Sequence, residues 1–305
     1  MRDYLKLIRI PQLLIIVIGQ LLVYFCVVLP TFGNIVMLPY WKLASIVAAT
    51  MLIAAGGYVI NDYFDIKIDR LNRPDKVIVG NTISKKDAMH IYQIFTIFGV
   101  AIGIVAAVTL KSFTLAFIYI IVAGLMWFYS SSYKRMLIVG NLMVALMAAL
   151  VPMIPAFAAK EQMVLNFNYT ILGFSPFQSM VPKIYTTCCW LGLVAFLVVF
   201  ANEIVKDIIS DYGDREMECH TIAVVWGQKV ARIIATVLIV GACGVSVFAF
   251  GWLYALCIVV VTGFYLFSVW NWPYTKYCSH IAMVLLLLTI GYCLVFFYQA
   301  MPQGL

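Results

Sequence analysis

The feature that most constrains this chain is a succession of nine apolar runs, each about as long as a bilayer is thick, near residues 10–30, 41–61, 87–109, 112–130, 137–159, 183–205, 229–249, 251–271 and 280–299. About 20 apolar residues coiled as a helix span the hydrocarbon layer with every backbone polar group satisfied internally. Such a chain has few options other than an all-α membrane bundle. Hydrophobic residues make up 65% of the sequence, well above the soluble average of about half. The expectation is one transmembrane domain over residues 1–305, with acidic connections near 61–86 and 203–228. The first run follows Met1-Arg2-Asp3-Tyr4-Leu5-Lys6 without a small-residue cleavage site, so it reads as a retained span rather than a signal peptide.

Charge placement orients the bundle. With the N-terminus inside, 16 of the 20 Lys and Arg fall in inner segments, and only Lys42, Lys111, Lys160 and Lys183 fall outside. The excess of cytoplasmic cations predicts N-terminus in and C-terminus out. The net charge of +7 is therefore a topology signal, and no basic soluble module for nucleic acid is present. The eight cysteines show neither CxxC nor a Cys/His metal spacing and read as core residues of the membrane bundle. Pro152 and Pro155 should kink the fifth span, and residues 160–182, with an Asn-x-Thr sequon at Asn168, form the longest outer connection.

Against this apolar background two acidic clusters stand out. Asn61-Asp62-Tyr63-Phe64-Asp65-Ile66-Lys67-Ile68-Asp69-Arg70-Leu71-Asn72-Arg73-Pro74-Asp75-Lys76 follows the second span. If the helix continues, Asn61, Asp65 and Asp69 share one face at i, i+4 and i+8. The second cluster lies 142 residues further on, where Asp207, Asp211 and Asp214 again share a helical face. Ionisable groups at membrane depth are costly and mark function. Carboxylates so close together repel unless a cation sits between them, and an oxygen-only ligand set selects Mg²⁺, or Mn²⁺, over zinc. Both clusters end an even-numbered span, so they read as facing walls of one cytoplasmic site. A third group, Tyr129-Ser130-Ser131-Ser132-Tyr133-Lys134-Arg135, ends the fourth span on the same side and offers hydroxyls and cations to a diphosphate. Arg9 reads as a membrane anchor.

Two carboxylate walls can hold Mg²⁺ against a diphosphate leaving group, and an apolar interior suits a polyisoprenyl tail. The chemistry these features imply is prenyl transfer. A cation-coupled transporter is the alternative from another class, although its carboxylates would be expected near the bilayer midplane.

The first cluster resembles the Asn-Asp-x-x-Asp-x-x-x-Asp signature of the UbiA superfamily of intramembrane prenyltransferases, with Arg73-Pro74 following. Asp207-x-x-x-Asp211-x-x-Asp214 resembles its second motif, with Thr221 and Gly227 in the tail, and Tyr133-Lys134 a shorter third. The resemblance covers nearly the whole chain and implies an all-α bundle of about nine transmembrane helices. It implies that Asn61, Asp62, Asp65, Asp69, Asp207, Asp211 and Asp214 hold the magnesium diphosphate, with Asp65, Asp69, Asp207 and Asp211 essential for catalysis. Arg73, Lys134, Lys206 and Tyr133 would contact the diphosphate. The string from Asn61 to Asp75 is most similar to the branch that prenylates geranylgeranylglyceryl phosphate with geranylgeranyl diphosphate. Departures follow it: Lys76-Val77-Ile78-Val79-Gly80-Asn81 replaces a Pro-x-Pro-Ser-Gly pattern, and Glu218-Cys219-His220-Thr221-Ile222-Ala223 replaces Gly-x-x-Thr-Leu-Pro. These leave an aromatic acceptor, 4-hydroxybenzoate or dihydroxynaphthoate, as the alternative. The expected partners are a prenyl diphosphate, a lipophilic acceptor and the bilayer of a prokaryotic cytoplasmic membrane, without an obligate protein partner.

Overall fold

The computed structural model describes residues 2–32, 38–166 and 176–300, and the Asn168 sequon lies outside them. A short α1 (Arg2–Leu7) precedes the first span, made of α2 (Ile10–Leu22), a π-helical stretch (Val23–Val28) and α3 (Leu29–Phe32). The second span is α4 (Tyr40–Phe64), continued by α5 (Ile66–Asn72); α6 (Lys85–Thr109) and α7 (Phe113–Ser131) are the third and fourth. The fifth is α8 (Val139–Leu150) with α9 (Met153–Asn166), and the sixth is α10 (Pro176–Glu216). A single turn, α11 (Ile222–Val225), leads to α12 (Gln228–Phe250), α13 (Trp252–Trp270) and α14 (Cys278–Ala300).

All nine apolar runs fold as helix. By length and hydropathy, seven helices among the described residues can cross a membrane alone, and the bent pair α8–α9 makes an eighth. The apolar part of α13, Leu256–Trp270, is shorter. Outward-facing Phe98, Val108, Phe117, Phe248 and Phe264 are more than half exposed, as lipid-facing side chains would be.

The predicted kink in the fifth span is a 43° bend between α8 and α9. Pro155 has no N–H to offer the Val151 carbonyl four residues back. Gln20, fully buried on α2, donates its amide to that carbonyl at 3.3 Å and to Thr50 Oγ1 at 3.1 Å. The neighbouring helix thus replaces the hydrogen bond the proline removes.

Small residues set the closest helix packing. A Cβ built at Gly99 on α6 would stand 2.9 Å from Ile53 of α4, and one at Gly56 on α4 would stand 2.6 Å from Thr96 of α6. Backbones this close gain dispersion contact that lipid cannot replace. At the end of the bundle where α4 begins, buried Lys42 donates to the Thr109 carbonyl at 3.1 Å and to Gln162 Oε1 at 2.9 Å, tying α4 to the C-terminus of α6 and to α9. At the other end the segment 77–83 is folded rather than loose. Val79 bridges to Ile83, and both are buried with Leu7, Val59, Ile66 and Ala88 in a small apolar cluster of their own. That cluster fixes α5, and with it the first acidic motif.

Helix α10 departs from expectation. Its sequence reading ends near residue 205, but the helix runs on to Glu216, so the second acidic motif is an extension of the span rather than a loop. Nothing between Val205 and Asp211 breaks a helix, and pairs at helical spacing support the last turns. Ser210 Oγ donates to Asp214 Oδ2 at 2.8 Å, and Arg215 Nε donates to Asp211 Oδ1 at 3.0 Å.

Candidate active site

The first motif turns a corner without losing its face. Helix α4 ends at Phe64 and Asp65 takes φ −84°, ψ −3°, yet Asp65 N still bonds Asn61 O at 3.0 Å and Asp69 N bonds Asp65 O at 2.8 Å. Asn61 Nδ2 donates to Asp65 Oδ2 at 2.9 Å, so the expected i, i+4 stacking is present. Lys134, from the 3₁₀ turn Tyr133–Arg135 after α7, is ion-paired with Asp65 and donates to Asn61 Oδ1 at 3.3 Å. Burial works against the Lys134 charge, but Asp65 outweighs it and holds the ammonium pKa above its ordinary value. Asp69 has the opposite balance. Burial, then the neighbouring Asp65 charge, pushes its carboxyl up to about 6 against the pull of Lys134.

The second motif supplies the opposite wall. Asp65, Ile68, Ser130, Lys134 and Arg135 share one narrow cleft with Asp207, Ser210, Asp214, Cys219 and Thr221. Asp207 accepts from Asn141 Nδ2 of α8 at 2.7 Å. The walls are clamped together by Asn72, which donates to Ser210 O at 3.2 Å and accepts from Gly213 N at 2.9 Å. Only glycine permits this approach, since a Cβ at position 213 would lie 2.5 Å from Asn72 Nδ2.

Other candidates are outside the cleft lining, and most have partners of their own. Asp62, one residue round the helix from Asn61, accepts from Arg9 Nη2 at 2.8 Å, and Arg9 stacks over the Tyr58 ring at 5.0 Å. Burial opposes the Arg9 charge and Asp62 more than restores it, raising its pKa. Asp211 turns toward Arg215 and Gln228 Nε2, the latter at 2.9 Å. Lys206 pairs with Glu203, Tyr133 packs against Phe128 with ring centroids 6.2 Å apart, and Arg73 is exposed past the end of α5.

Residues 21–287 match the UbiA prenyltransferase family. The chain belongs to that family. It is 29% identical over 249 residues to the digeranylgeranylglyceryl phosphate synthase of Methanopyrus kandleri, a match covering 81% of this chain and 75% of that one. Solved structures share the fold. A digeranylgeranylglyceryl phosphate synthase in membranes aligns with TM-score 0.62 at 22% identity, covering 96% of this chain and 98% of that one. A UbiA homologue from Archaeoglobus fulgidus bound to DMAPP and Mg²⁺ aligns with TM-score 0.58 at 14% identity, covering 97% and 99%. The chain is an integral membrane prenyltransferase.

Within this UbiA-family cleft, the donor chemistry fits a hard divalent ion shared with a diphosphate. Among the described residues no three His, Cys, Asp or Glu side chains make a cage by themselves. A metal held there would complete its shell with ligand oxygens, the arrangement Mg²⁺ favours when one or two carboxylates meet a substrate phosphate. Thr221 Oγ1 is buried at the cleft without a hydrogen-bond partner, so it has a donor and an acceptor to offer. Asn141 lies outside the sequence motifs, Ser210 is an unspecified position within the second, and Arg9, which reads in sequence as an anchor, is held by Asp62. Asn141 had a legible signal, being the one amide in an otherwise apolar α8; the pairing of Arg9 with Asp62 had none.

Proposed function

We propose that this prenyltransferase is Mg²⁺-dependent and moves a geranylgeranyl group from its diphosphate to the hydroxyl of geranylgeranylglyceryl phosphate. The observation that carries the reading is the convergence of Asp65, Asp207 and Asp214 with Lys134 and Arg135 in one cleft. Two carboxylate walls plus two cations suit a metal diphosphate and exceed what a bare ion needs. The name of the Methanopyrus relative and the DMAPP and Mg²⁺ of the Archaeoglobus homologue support donor and acceptor class.

Asn61, Asp62, Asp65 and Asp69 on one wall and Asp207, Asp211 and Asp214 on the other form the metal set, and Mn²⁺ meets the same oxygens. Asp65, Asp207 and Asp214 hold the inner positions, while Asp62, Asp69 and Asp211 support from the rim. When bound, Mg²⁺ draws charge from the leaving diphosphate and so favours cleavage of its allylic C–O bond. Lys134, paired with Asp65 at the cleft, would offer its ammonium to the diphosphate oxygens, and Arg135, Arg73, Lys206 and Tyr133 would extend the contact. Asn141 orients Asp207 through its amide. The apolar bundle keeps water from the allylic carbon. The positive-inside bias favours a cytoplasmic site, with the N-terminus in and the C-terminus out.

The test is an acceptor screen. Purified protein with Mg²⁺ and radiolabelled geranylgeranyl diphosphate is offered geranylgeranylglyceryl phosphate, 4-hydroxybenzoate and dihydroxynaphthoate in parallel. Label entering the glyceryl phosphate is expected. Label only in an aromatic product refutes the acceptor assignment, and absence of any product across donor lengths refutes prenyl transfer by this chain.

A further inference from the structure

Three acidic residues are buried among the described residues: Asp65, Asp214 and Glu203. The first two line the cleft; Glu203 does not. It sits on α10 four residues before Asp207, about 6 Å nearer the middle of that helix by helical rise. Its one ion-pair partner among the described residues, Lys206, is on the same helix with a side chain 42% exposed, whereas that of Glu203 is 11% exposed. A buried carboxylate is costly, and one lying outside the metal cleft calls for another use.

Its surroundings come from five directions. The Glu203 charge acts on Arg9 at the entry to α2, Tyr58 on α4, Tyr129 on α7, Tyr265 on α13 and Asp207 on its own helix. Glu203 therefore lies within electrostatic reach of groups on α4, α7 and α13 and at the entry to α2. Two buried polar atoms in the same region lack hydrogen-bond partners, the Tyr265 hydroxyl and Asn202 Oδ1. Tyr265 is fully buried. Unpartnered polar atoms cost free energy in an apolar interior; Tyr265 is within electrostatic reach of the Glu203 carboxylate, and Asn202 precedes it on α10. The arrangement is suited to receiving a ligand hydroxyl.

We infer that Glu203 is the general base that takes the proton from the acceptor hydroxyl. The inference rests on the glyceryl phosphate reading above. With the diphosphate at the metal cleft and the prenyl tail directed into the apolar interior, the reacting carbon lies just inward of the leaving group. A base must then stand inward of the metal ligands and outside their coordination, which is where Glu203 stands. The acceptor oxygen forms a bond to the first prenyl carbon as that carbon's bond to diphosphate oxygen breaks. The electron pair leaves with the diphosphate, and the hydroxyl proton passes to the Glu203 carboxylate. Lys206 is ion-paired with that carboxylate beforehand, and the Tyr265 hydroxyl and Asn202 amide oxygen orient the acceptor.

The test is Glu203→Gln, isosteric and uncharged, with Glu203→Asp beside it. Glu203→Gln is expected to lower transfer to geranylgeranylglyceryl phosphate by about 100-fold or more. Calorimetric affinity for Mg²⁺ with geranylgeranyl diphosphate should stay near wild type. Positional exchange of ¹⁸O between bridging and terminal oxygens of labelled donor, which reports C–O cleavage alone, should persist. Glu203→Asp should recover part of the transfer. Near-normal transfer by Glu203→Gln overturns the assignment alone. Loss of donor binding or of isotope exchange alongside transfer also overturns it, since Glu203 would then serve the metal site or the fold. A wild-type enzyme that prenylates only aromatic carbon removes the hydroxyl proton from the reaction and overturns both readings together.

Discussion

Gly213→Ala tests whether the two motif walls are clamped through Asn72. The new Cβ would stand 2.5 Å from Asn72 Nδ2 and 2.9 Å from its Cγ, closer than any real contact. The amide is the end of a flexible side chain and can swing away, but only by giving up its bonds to Ser210 O and Gly213 N. Two such bonds contribute about 1 kcal/mol each. Alanine in place of glycine inside a helix returns roughly 0.5–1 kcal/mol. The net loss is about 1 kcal/mol, which lowers the apparent melting midpoint in detergent by about 2 °C for a chain of this size. If the same amount is lost from wall alignment, the affinity for Mg²⁺ and geranylgeranyl diphosphate falls about fivefold. The decisive control is Asn72→Ala. With the clamp already gone, adding Gly213→Ala should be neutral or raise the midpoint, reversing the sign of the single substitution. A Gly213→Ala effect that is the same in both backgrounds would refute the clamp.

Other expectations follow from the same geometry. Asn141→Leu removes a bond to a charged acceptor, of order 1.5–3 kcal/mol, so Mg²⁺-dependent donor affinity should fall about tenfold or more by calorimetry. Lys134→Met should act in opposite directions: Mg²⁺ alone binds more tightly because Asp65 loses its internal counterion, while the diphosphate complex binds more weakly. Both are read by titration with and without donor. The raised Asp69 carboxyl sets a pH window. The folded protein binds that proton more tightly than the unfolded chain, so its contribution to metal-free stability is lost as pH rises from about 4 to about 6. Metal binding needs the anion, so Mg²⁺ affinity should climb toward pH 6 and level off above it. A flat affinity from pH 4.5 to 7 would remove Asp69 from the metal set.

Much of this molecule was legible because membrane burial is strongly written in sequence. Runs of apolar residues gave the helices, seven or eight of which are long and apolar enough to span among the described residues against the nine expected, and Pro152 and Pro155 gave the bend in the fifth. Helical periodicity brought Asn61, Asp65 and Asp69 onto one face, and Lys134 was recognisable beside them. Periodicity could not find the partners. Asp211 shares a helical face with Asp207 in projection, yet Gln228 and Arg215 draw it out of the cleft lining. Arg9, read as an anchor, is joined to Asp62 across 53 residues. The end of α10 was missed because charged residues read as a loop, whereas their own i, i+3 and i, i+4 pairs extend the helix. Glu203 was visible in the second cluster, but only the folded structure shows that it is buried and outside the cleft that Asp207 lines.

The central claim is that both acidic motifs hold one metal diphosphate. Calorimetric titration of geranylgeranyl diphosphate with and without Mg²⁺, on wild type, Asp65→Asn and Asp207→Asn, tests it most directly. In the wild type, metal and diphosphate should each strengthen the other's binding by the same factor, about tenfold or more. Substitution in either motif should abolish that coupling while the protein remains folded. Coupling that survives the loss of one wall, or donor binding indifferent to Mg²⁺ in the wild type, would contradict the two-walled site.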